Sequence, residues 1–437
     1  MSDIIQDHDF LRTPVVLHHI SSFGQDFLKQ SAQNILKGLL ECMKGPSGLR
    51  NEIATSPDFW SLLQNLRALP DGAPLAFRII EDITAGSPPA ITADNYEAAV
   101  DLLNGFGITG GEMSAQEQRS FQQPPTRRGR QQLPPQPQPA DNKKPARSDT
   151  VLRGVRAMTI LQHLTSRIPP LIAASHLPGT EAWHAYFDPV FRVLCTQCTN
   201  PCREIRQSAF TTLQRTLLSP DLIAPSTSDH KEWTSIFPNV LNMIIYEVSR
   251  PDIYNSDRVG MEEMRAQTAG LICRIWLQYL SQLADWEGYV ALWKDILETM
   301  EGLLSNEQRG EMAESLPESI KNILLVMSSG GYLVPPPARV GRDAEDGVGQ
   351  ERSETQRQLW DETYESLERF LPGLMGEIFP AAPLPPHKEE EEKAAEAQID
   401  EKSRVEENDA ESTAEKSATG EEQKGQDKEV GNDKDVD

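Results

Sequence analysis

Apolar positions recur at three- and four-residue steps along most of this chain, which is the spacing of one face of an α-helix. The pattern between residues 27 and 43 ends at Gly45-Pro46. Ser56-Pro57-Asp58 then supplies an N-cap residue, a proline at the first helical position and an early acid. Residues 1–106 are therefore predicted to form an N-terminal block of helical repeats. Its predicted helices cover residues 27–43, 57–69, 75–85 and 95–106.

Helical patterning stops between residues 107 and 148, where seven prolines and many glutamines predict a disordered linker. It returns between residues 149 and 329 and strand patterns are nearly absent. Helix pairs follow one another about every 35–45 residues, as in stacked two-helix repeats. The predicted fold is an all-α, armadillo/HEAT-like solenoid. Its central helices are predicted at Val151–Ile168, Trp183–Cys198, Glu204–Leu218, Trp233–Val248, Met261–Leu283, Trp286–Leu303 and Gly310–Met327.

The last hundred residues divide into a linker, a helix and a tail. Residues 330–352 carry three consecutive prolines and are predicted to be a second linker. Ser353 and Gln356 have the spacing of a capping box, which predicts a terminal helix within residues 353–380. Residues 381–437 are predicted to be a disordered acidic tail. The charge between Lys388 and Asp437 is −11, nearly half of the net −24, and no aromatic residue is present there to support a core.

Composition excludes some classes of function. An acidic chain without a concentrated basic region is a poor nucleic-acid binder, because phosphate neutralisation supplies most of that affinity. No stretch approaches 18 consecutive apolar residues, so no transmembrane helix is predicted. Five cysteines in 437 residues, with no signal-like apolar run at the start, favour a reducing cytoplasmic compartment. Any membrane contact is expected to be peripheral.

Two motifs invite a chemical interpretation. Residues 105–110 satisfy G-x-G-x-x-G, but a helix precedes them where a dinucleotide site needs a strand, so we interpret them as a helix C-cap entering the linker. Cys195, Cys198 and Cys202, with His184 upstream, raise the alternative of a zinc site. Buried thiols are favoured, because the first two share an apolar helix face. The nucleophile-elbow, phosphate-loop and zincin motifs are missing, and no catalytic, cofactor or metal site is predicted.

The first linker is basic in an otherwise acidic chain. A solvated linker is the favoured interpretation, and contact with an anionic lipid or an acidic partner is the alternative. Tryptophans pose a similar choice between core and contact surface, and their apolar helix positions favour the core for Trp60, Trp276, Trp293 and Trp360. The basic residues that would make the contact are Arg127, Arg128, Arg130, Lys143 and Lys144.

Three segments carry a family resemblance: residues 87–96 (SPPAITADNY), residues 293–297 (WKDIL), and residues 359–363 (LWDET) followed by Phe370-Leu371-Pro372. In order and spacing they resemble the C-terminal half of the large Golgi exchange factors for Arf GTPases, the brefeldin A-resistance type of the Sec-seven family. The resemblance extends from about Phe27 to Phe379. It implies a regulatory helical region that lies downstream of a catalytic domain.

In that family the catalytic domain inserts a glutamate near the nucleotide of Arf, and the downstream repeats help recruit the protein to early Golgi membranes. The catalytic signature FRLPGEAQ does not occur here, so no catalytic residue can be assigned. The resemblance thus implies a regulatory scaffold in Arf-dependent, COPI-type Golgi vesicle transport that is not itself an enzyme, and a fragment of a longer protein. Its expected partners are proteins of the Arf pathway and the Golgi membrane surface, and self-association is left open. A helical-repeat adaptor unrelated to Arf is the alternative, and a hydrolase whose site assembles only in three dimensions ranks third.

Overall fold

The chain folds into α-helices that stack in sequence order. The computed structural model describes residues 14–45, 47–86, 90–122, 148–219, 240–305, 311–337 and 352–380. Within these ranges the regular secondary structure is helical and contains no strand, which confirms the predicted all-helical repeat fold. The helices are α1 (Pro14–Ser21), α2 (Gln25–Met43), α3 (Ser47–Thr55), α4 (Pro57–Arg67), α5 (Ala73–Ala85), α6 (Tyr96–Gln122), α7 (Asp149–Thr165), α8 (Ile168–Ala174), α9 (Gly179–Gln197), α10 (Arg203–Leu217), α11 (Asn242–Ser249), α12 (Pro251–Ser256), α13 (Arg258–Leu283), α14 (Tyr289–Ser305), α15 (Glu311–Ser329), α16 (Glu354–Phe370) and α17 (Leu374–Ile378).

Each helix packs mainly against helices one to three places away along the chain. The broadest contacts join α6 to α7, α13 to α15, α7 to α10 and α14 to α16. One apolar core runs through the stack from Leu17 to Met375. Such nearest-neighbour packing is the structural definition of a solenoid.

Several helix starts follow from side chains that the sequence pattern identifies. Pro57 stands at the start of α4, as predicted, although the Ser56 hydroxyl makes no cap hydrogen bond. Ser148 caps α7 by accepting from the Thr150 N–H at 3.2 Å. The capping box of α16 forms as predicted, with Ser353 Oγ accepting from Gln356 N–H and Gln356 Oε1 accepting from Ser353 N–H. Each cap satisfies backbone donors that a helix start leaves without a partner.

The prediction that a helix ends at Phe106 and a linker begins at residue 107 is wrong. Helix α6 continues through the glycine-rich segment to Gln122. Glycine inside a helix costs about 1 kcal/mol relative to alanine, so sequence reasoning treats it as a helix end. Here the missing side chains let other helices approach: a Cβ at Gly107 would lie 2.6 Å from Gln197 Oε1, and one at Gly111 would lie 2.5 Å from Asn200 Oδ1. Close packing on this glycine face keeps the segment helical.

Other boundaries also differ from the predicted ones. The helix predicted over residues 151–168 ends at Thr165 as α7, and α8 follows as a short helix that was not predicted; Pro169-Pro170 fits the first turn of this new helix but not the interior of the old one. The terminal helix divides into α16 and α17 at Gly373, whose φ of 85° is the left-handed conformation that glycine adopts readily. The remainder of the first linker (123–147), most of the second (338–351) and the acidic tail (381–437) lie outside the described residues.

Candidate interaction surfaces

A buried arginine ties the start of α13 to the turn between α9 and α10. The side chain of Arg206 is 2% exposed and lies in the first turn of α10. Its Nη1 donates to the Asn200 carbonyl at 2.9 Å, and its Nη2 is paired with the carboxylate of Asp257. A buried guanidinium requires such partners, because an unpaired buried charge is strongly unfavourable.

The turn in front of α10 reaches further, to the glycine face of α6. Asn200 Nδ2 donates to the Gly107 carbonyl at 2.9 Å and to Gln197 Oε1 at 2.7 Å. Gln197 Nε2 in turn donates to Asn104 Oδ1 at 2.7 Å. These bonds form a continuous chain of polar groups across α6, α9, α10 and α13. We call it the polar joint, and its residues are Asn104, Gln197, Asn200, Arg206 and Asp257.

Asp257 has a second role as the N-cap of α13. Its Oδ1 accepts from the Gly260 N–H at 3.0 Å. Partial burial acts to raise the pKa of Asp257, but the hydrogen bonds from Gly260 and Arg206 and the positive charge of Arg206 outweigh it and hold the pKa below its ordinary value. The carboxylate therefore stays charged and paired with Arg206. The polar joint fixes the geometry of four helices and contains no nucleophile or acid–base pair facing a cavity.

The cysteine cluster is part of the core. All five cysteines are free and buried, as the sequence favoured for Cys195, Cys198 and Cys202. Burial raises the pKa of Cys198 well above its ordinary value, and the Cys195 Sγ lies 3.5 Å from the Val240 carbonyl oxygen. His184 pairs instead with Asp188 at 3.0 Å on the surface. Across the described ranges, no group of three or more His, Cys, Asp or Glu is arranged to hold a metal ion.

A groove with an apolar floor runs between α11 and α14 above α13. Its cavity volume is about 30 Å³, enough for a water molecule. The floor residues Leu241, Ile272 and Ile296 are each at most 3% exposed. Tyr246 follows Asn242 by one helical turn on α11, and its side chain is 69% exposed. The α11–α14 groove is lined by Leu241, Asn242, Ile245, Ile272, Leu292, Asp295, Ile296 and Thr299.

The lip of this groove is negatively charged. Asp295 and Glu298 lie on α14, and neither has a hydrogen-bond or ion-pair partner among the residues that the structure describes. The neighbouring Lys294 is paired with Glu362 of α16 at 2.9 Å, and its positive charge also acts on Asp295 and Glu298. Partial burial and then repulsion from Glu298 raise the pKa of Asp295.

The structure tests the other predicted site residues unevenly. The candidate lipid-contact residues Arg127, Arg128, Arg130, Lys143 and Lys144 lie outside the described residues. The four tryptophans assigned to the core are buried, with Trp60, Trp276, Trp293 and Trp360 at most 4% exposed. Among the helices that the structure describes, none is both long and apolar enough to cross a bilayer.

Sequence reasoning missed the polar joint entirely. Asn104, Gln197 and Asn200 are polar residues at or near predicted helix ends, where an exposed position is the usual expectation. Arg206 gives a partial signal, since it precedes Ala209, Phe210 and Leu213 at core-facing spacing. The partner of a buried charge comes from a distant helix, and no local pattern identifies it.

The fold first defines a class of protein, which is a helical-repeat region. Comparison with known proteins agrees. Residues 187–374, from the middle of α9 to the start of α17, match a family described as "GBF1-like, tetratrico peptide repeat region". A tetratricopeptide repeat is a pair of antiparallel helices, so the family description names a different two-helix repeat from the armadillo/HEAT type that was predicted.

Curated relatives are similar over part of the chain. The chain is 30% identical over 213 residues to the "Golgi-specific brefeldin A-resistance guanine nucleotide exchange factor 1 homolog" of Caenorhabditis elegans, which covers 48% of this chain and 9% of that protein. Two Arabidopsis thaliana proteins, the ARF guanine-nucleotide exchange factors GNL1 and GNOM, are 26% and 27% identical over 43% and 42% of this chain and 12% of each of those proteins. The matched part of this chain is thus similar to a region of the large Arf guanine-nucleotide exchange factors, as the resemblance implied, and it spans about a tenth of the length of these relatives.

Proposed function

We propose that this chain is a regulatory helical scaffold of an Arf guanine-nucleotide exchange factor, that it acts in Golgi vesicle-mediated transport, and that it recruits and binds other components without performing exchange itself. The observation that carries the proposal is the alignment of 213 residues to a Golgi-specific exchange-factor homologue. The matching family region, residues 187–374, contains most of the polar joint and the whole α11–α14 groove.

The physical character of the fold supports a binding role. A solenoid exposes long grooves between helix pairs, and a partner helix can lie in them. The polar joint holds α6, α9, α10 and α13 in one arrangement, and helices that are already fixed lose less conformational entropy on binding. We also propose that the chain has no catalytic site, that it associates peripherally with early Golgi membranes, and that it interacts with proteins of the Arf pathway.

Localisation tests the first half of the proposal. We expect the full chain, expressed with a fluorescent tag, to concentrate with a Golgi marker and to sediment with membranes. A chain lacking residues 150–329 should become diffuse, because it loses the central repeats. A chain lacking residues 381–437, outside the matched region, should stay at the Golgi and controls for the effect of truncation. A diffuse full-length chain would refute the proposal.

An exchange assay tests the second half. Purified chain is mixed with Arf loaded with fluorescent GDP, and release of the nucleotide is followed with and without the chain. We expect the rate of GDP release to equal the uncatalysed rate, while a catalytic domain from a relative accelerates it as the positive control. Acceleration that rises in proportion to the concentration of this chain would contradict the scaffold assignment.

A further inference from the structure

We infer that two adjoining clefts beside the turn between α7 and α8 hold carboxylates of the chain's own acidic tail, residues 381–437. The inference goes beyond the proposed function, because it concerns how one part of this chain controls access to another. A tail held there competes with any acidic segment of a partner that approaches the same clefts. Space, uncompensated positive charge and the length of the tail support it.

The clefts lie on the two sides of the α7–α8 turn. The first, between α5 and α7, has a cavity volume of about 440 Å³ and is lined by His163 and Arg167. The second, between α7, α9 and α10, has a cavity volume of about 180 Å³ and is lined by Phe187 and Arg215. Ser166 lines both, so the two clefts adjoin. We call them the turn clefts, and the first has a volume typical of ligand pockets, about 300–1,000 Å³.

Arg167 brings a positive charge to the first cleft. Its Nη2 donates to the Thr84 carbonyl at 2.7 Å, which anchors the guanidinium to the last turn of α5. That acceptor is neutral, and Arg167 makes no ion pair within the ranges that the structure describes. Glu81 also lines this cleft, but it is paired with Arg156 and is acted on by the positive charge of Arg78 as well. The charge of Arg167 is therefore not offset by a carboxylate.

Arg215 brings a second positive charge, to the adjoining cleft. It is exposed and has no hydrogen-bond or ion-pair partner among the described residues. Other surface arginines of this acidic chain do have a carboxylate partner, as Arg203 has in Glu263. Two guanidinium groups without a counter-charge beside adjoining clefts attract carboxylates, because arginine offers that group several N–H donors at once.

The acidic tail has the charge that the turn clefts lack. Between Lys388 and Asp437 its charge is −11, and the rest of the chain is negative as well. Most of the surface therefore repels the tail, and a place with uncompensated positive charge attracts it. Four consecutive glutamates at 389–392 are its densest run of acids. Because the tail is attached to the helices, its carboxylates are present at high local concentration and individually weak contacts are sufficient.

The tail is also long enough to reach the turn clefts. It begins shortly after α17, and the helices α9 to α16 separate α17 from α8 in the stack. With each helix about 10–12 Å wide, α8 and α17 are roughly 110 Å apart at most if every helix adds its full width. A segment as long as residues 381–437 spans up to about 190 Å when fully extended, at about 3.3–3.6 Å per residue.

Zero-length cross-linking tests the inference in the full chain. A carbodiimide forms an amide bond between a lysine amine and a carboxylate only where the two are in contact. Arg215→Lys and Arg167→Lys, made separately, keep the positive charge and supply the amine. We expect each to be cross-linked to acids between residues 388 and 437 of the same chain, as identified by peptide mass spectrometry. The yield should fall at least about fivefold as NaCl rises from about 0.01 M to about 1 M, because the Debye length shrinks from about 30 Å to about 3 Å.

Arg274→Lys is the matched control. Arg274 of α13 is exposed, donates only to the neutral Gly270 carbonyl and does not line either turn cleft. We expect at least about tenfold less cross-linking between this position and the tail, because no cleft gathers the carboxylates there. Far-UV circular dichroism checks that each variant is folded. Since Arg215 is exposed and makes no bond, Arg215→Lys keeps the test decisive even if the change at Arg167 disturbs the contact with Thr84.

The outcomes are distinct from those of the proposed function. Equal cross-linking from positions 215 and 274, or no cross-link to the tail from position 215 in the folded variant, would overturn the inference. Cross-links found only between two chains, in a mixture of isotope-labelled and unlabelled protein, would also overturn it and would make the tail of a second copy the occupant. None of these results bears on the scaffold function, which the localisation and exchange assays test separately.

Discussion

Replacing Asp257 with alanine should destabilise this protein more than any single surface change, because it removes two interactions at once. It leaves the Arg206 guanidinium, 2% exposed, without its counter-charge. Removing one partner of a buried pair costs about 3–5 kcal/mol, and the 37% exposure of Asp257 lowers this to about 2 kcal/mol. Loss of the N-cap bond to Gly260 adds about 1 kcal/mol. We expect a total near 3 kcal/mol.

The same two helices offer a matched control. Arg203 of α10 and Glu263 of α13 form an ion pair whose side chains are 60% and 36% exposed. Because water screens such a pair, Glu263→Ala should cost less than about 1 kcal/mol. The assay is urea unfolding followed by circular dichroism, with hydrogen exchange of α10 and α13 to locate the change.

A double variant isolates the charge term. In Arg206→Met/Asp257→Ala the buried charge is gone, so at least half of the stability lost in Asp257→Ala should return. Equal destabilisation by Asp257→Ala and Glu263→Ala, or no recovery in the double variant, would show that Arg206 is not a paired buried charge and that the joint contributes little.

Three further outcomes follow from the same contacts. The pKa of Asp257 is lowered in the folded state, so its stabilising effect is complete above about pH 5 and is lost as the pH falls through that pKa. The difference in urea midpoint between the wild type and Asp257→Ala should therefore shrink on acidification. A constant difference would contradict this. Gly107→Ala should destabilise the protein by about 1–2 kcal/mol, because the added Cβ would displace the Gln197 side chain of the polar joint. Gly38→Ala is the control and should stabilise by about 0.5–1 kcal/mol, because nothing lies within 4 Å of the added Cβ. Thermal unfolding should show melting temperatures that shift in opposite directions. The buried indole N–H of Trp293 donates to the Thr363 hydroxyl at 2.8 Å, and Thr363→Val removes this acceptor at a cost of about 1–3 kcal/mol of stability. Unfolding followed by tryptophan fluorescence measures the change, and an unchanged stability would refute the hydrogen bond.

The helices that sequence reasoning predicted well are those whose information is local. The capping box at Ser353 and Gln356 and the proline at the start of α4 act within one turn of the chain, so a pattern of four residues is sufficient. Core tryptophans were also identified, because helix periodicity alone places them on an apolar face.

The larger failures, at the glycines of α6 and at the polar joint, share one physical cause, which is tertiary contact. The glycines of α6 look like a helix end until Asn200 and Gln197 are seen packed against them. The polar joint and the α11–α14 groove are likewise made by residues from helices that are far apart in sequence. A single sequence contains the propensities of each element, but it contains no record of which elements meet.

The stacking of each helix on its near neighbours has a consequence for how this protein folds. Contacts that are close in sequence close short loops, which gives a low contact order and favours rapid folding. In such a stack folding can begin at several places and spread, and unfolding can proceed from the ends inward. The polar joint lies near the middle of the described chain, where it ties α6 to α13. We therefore expect helices at either end to exchange their amide hydrogens through partial openings, while α6, α10 and α13 exchange only in the largest ones.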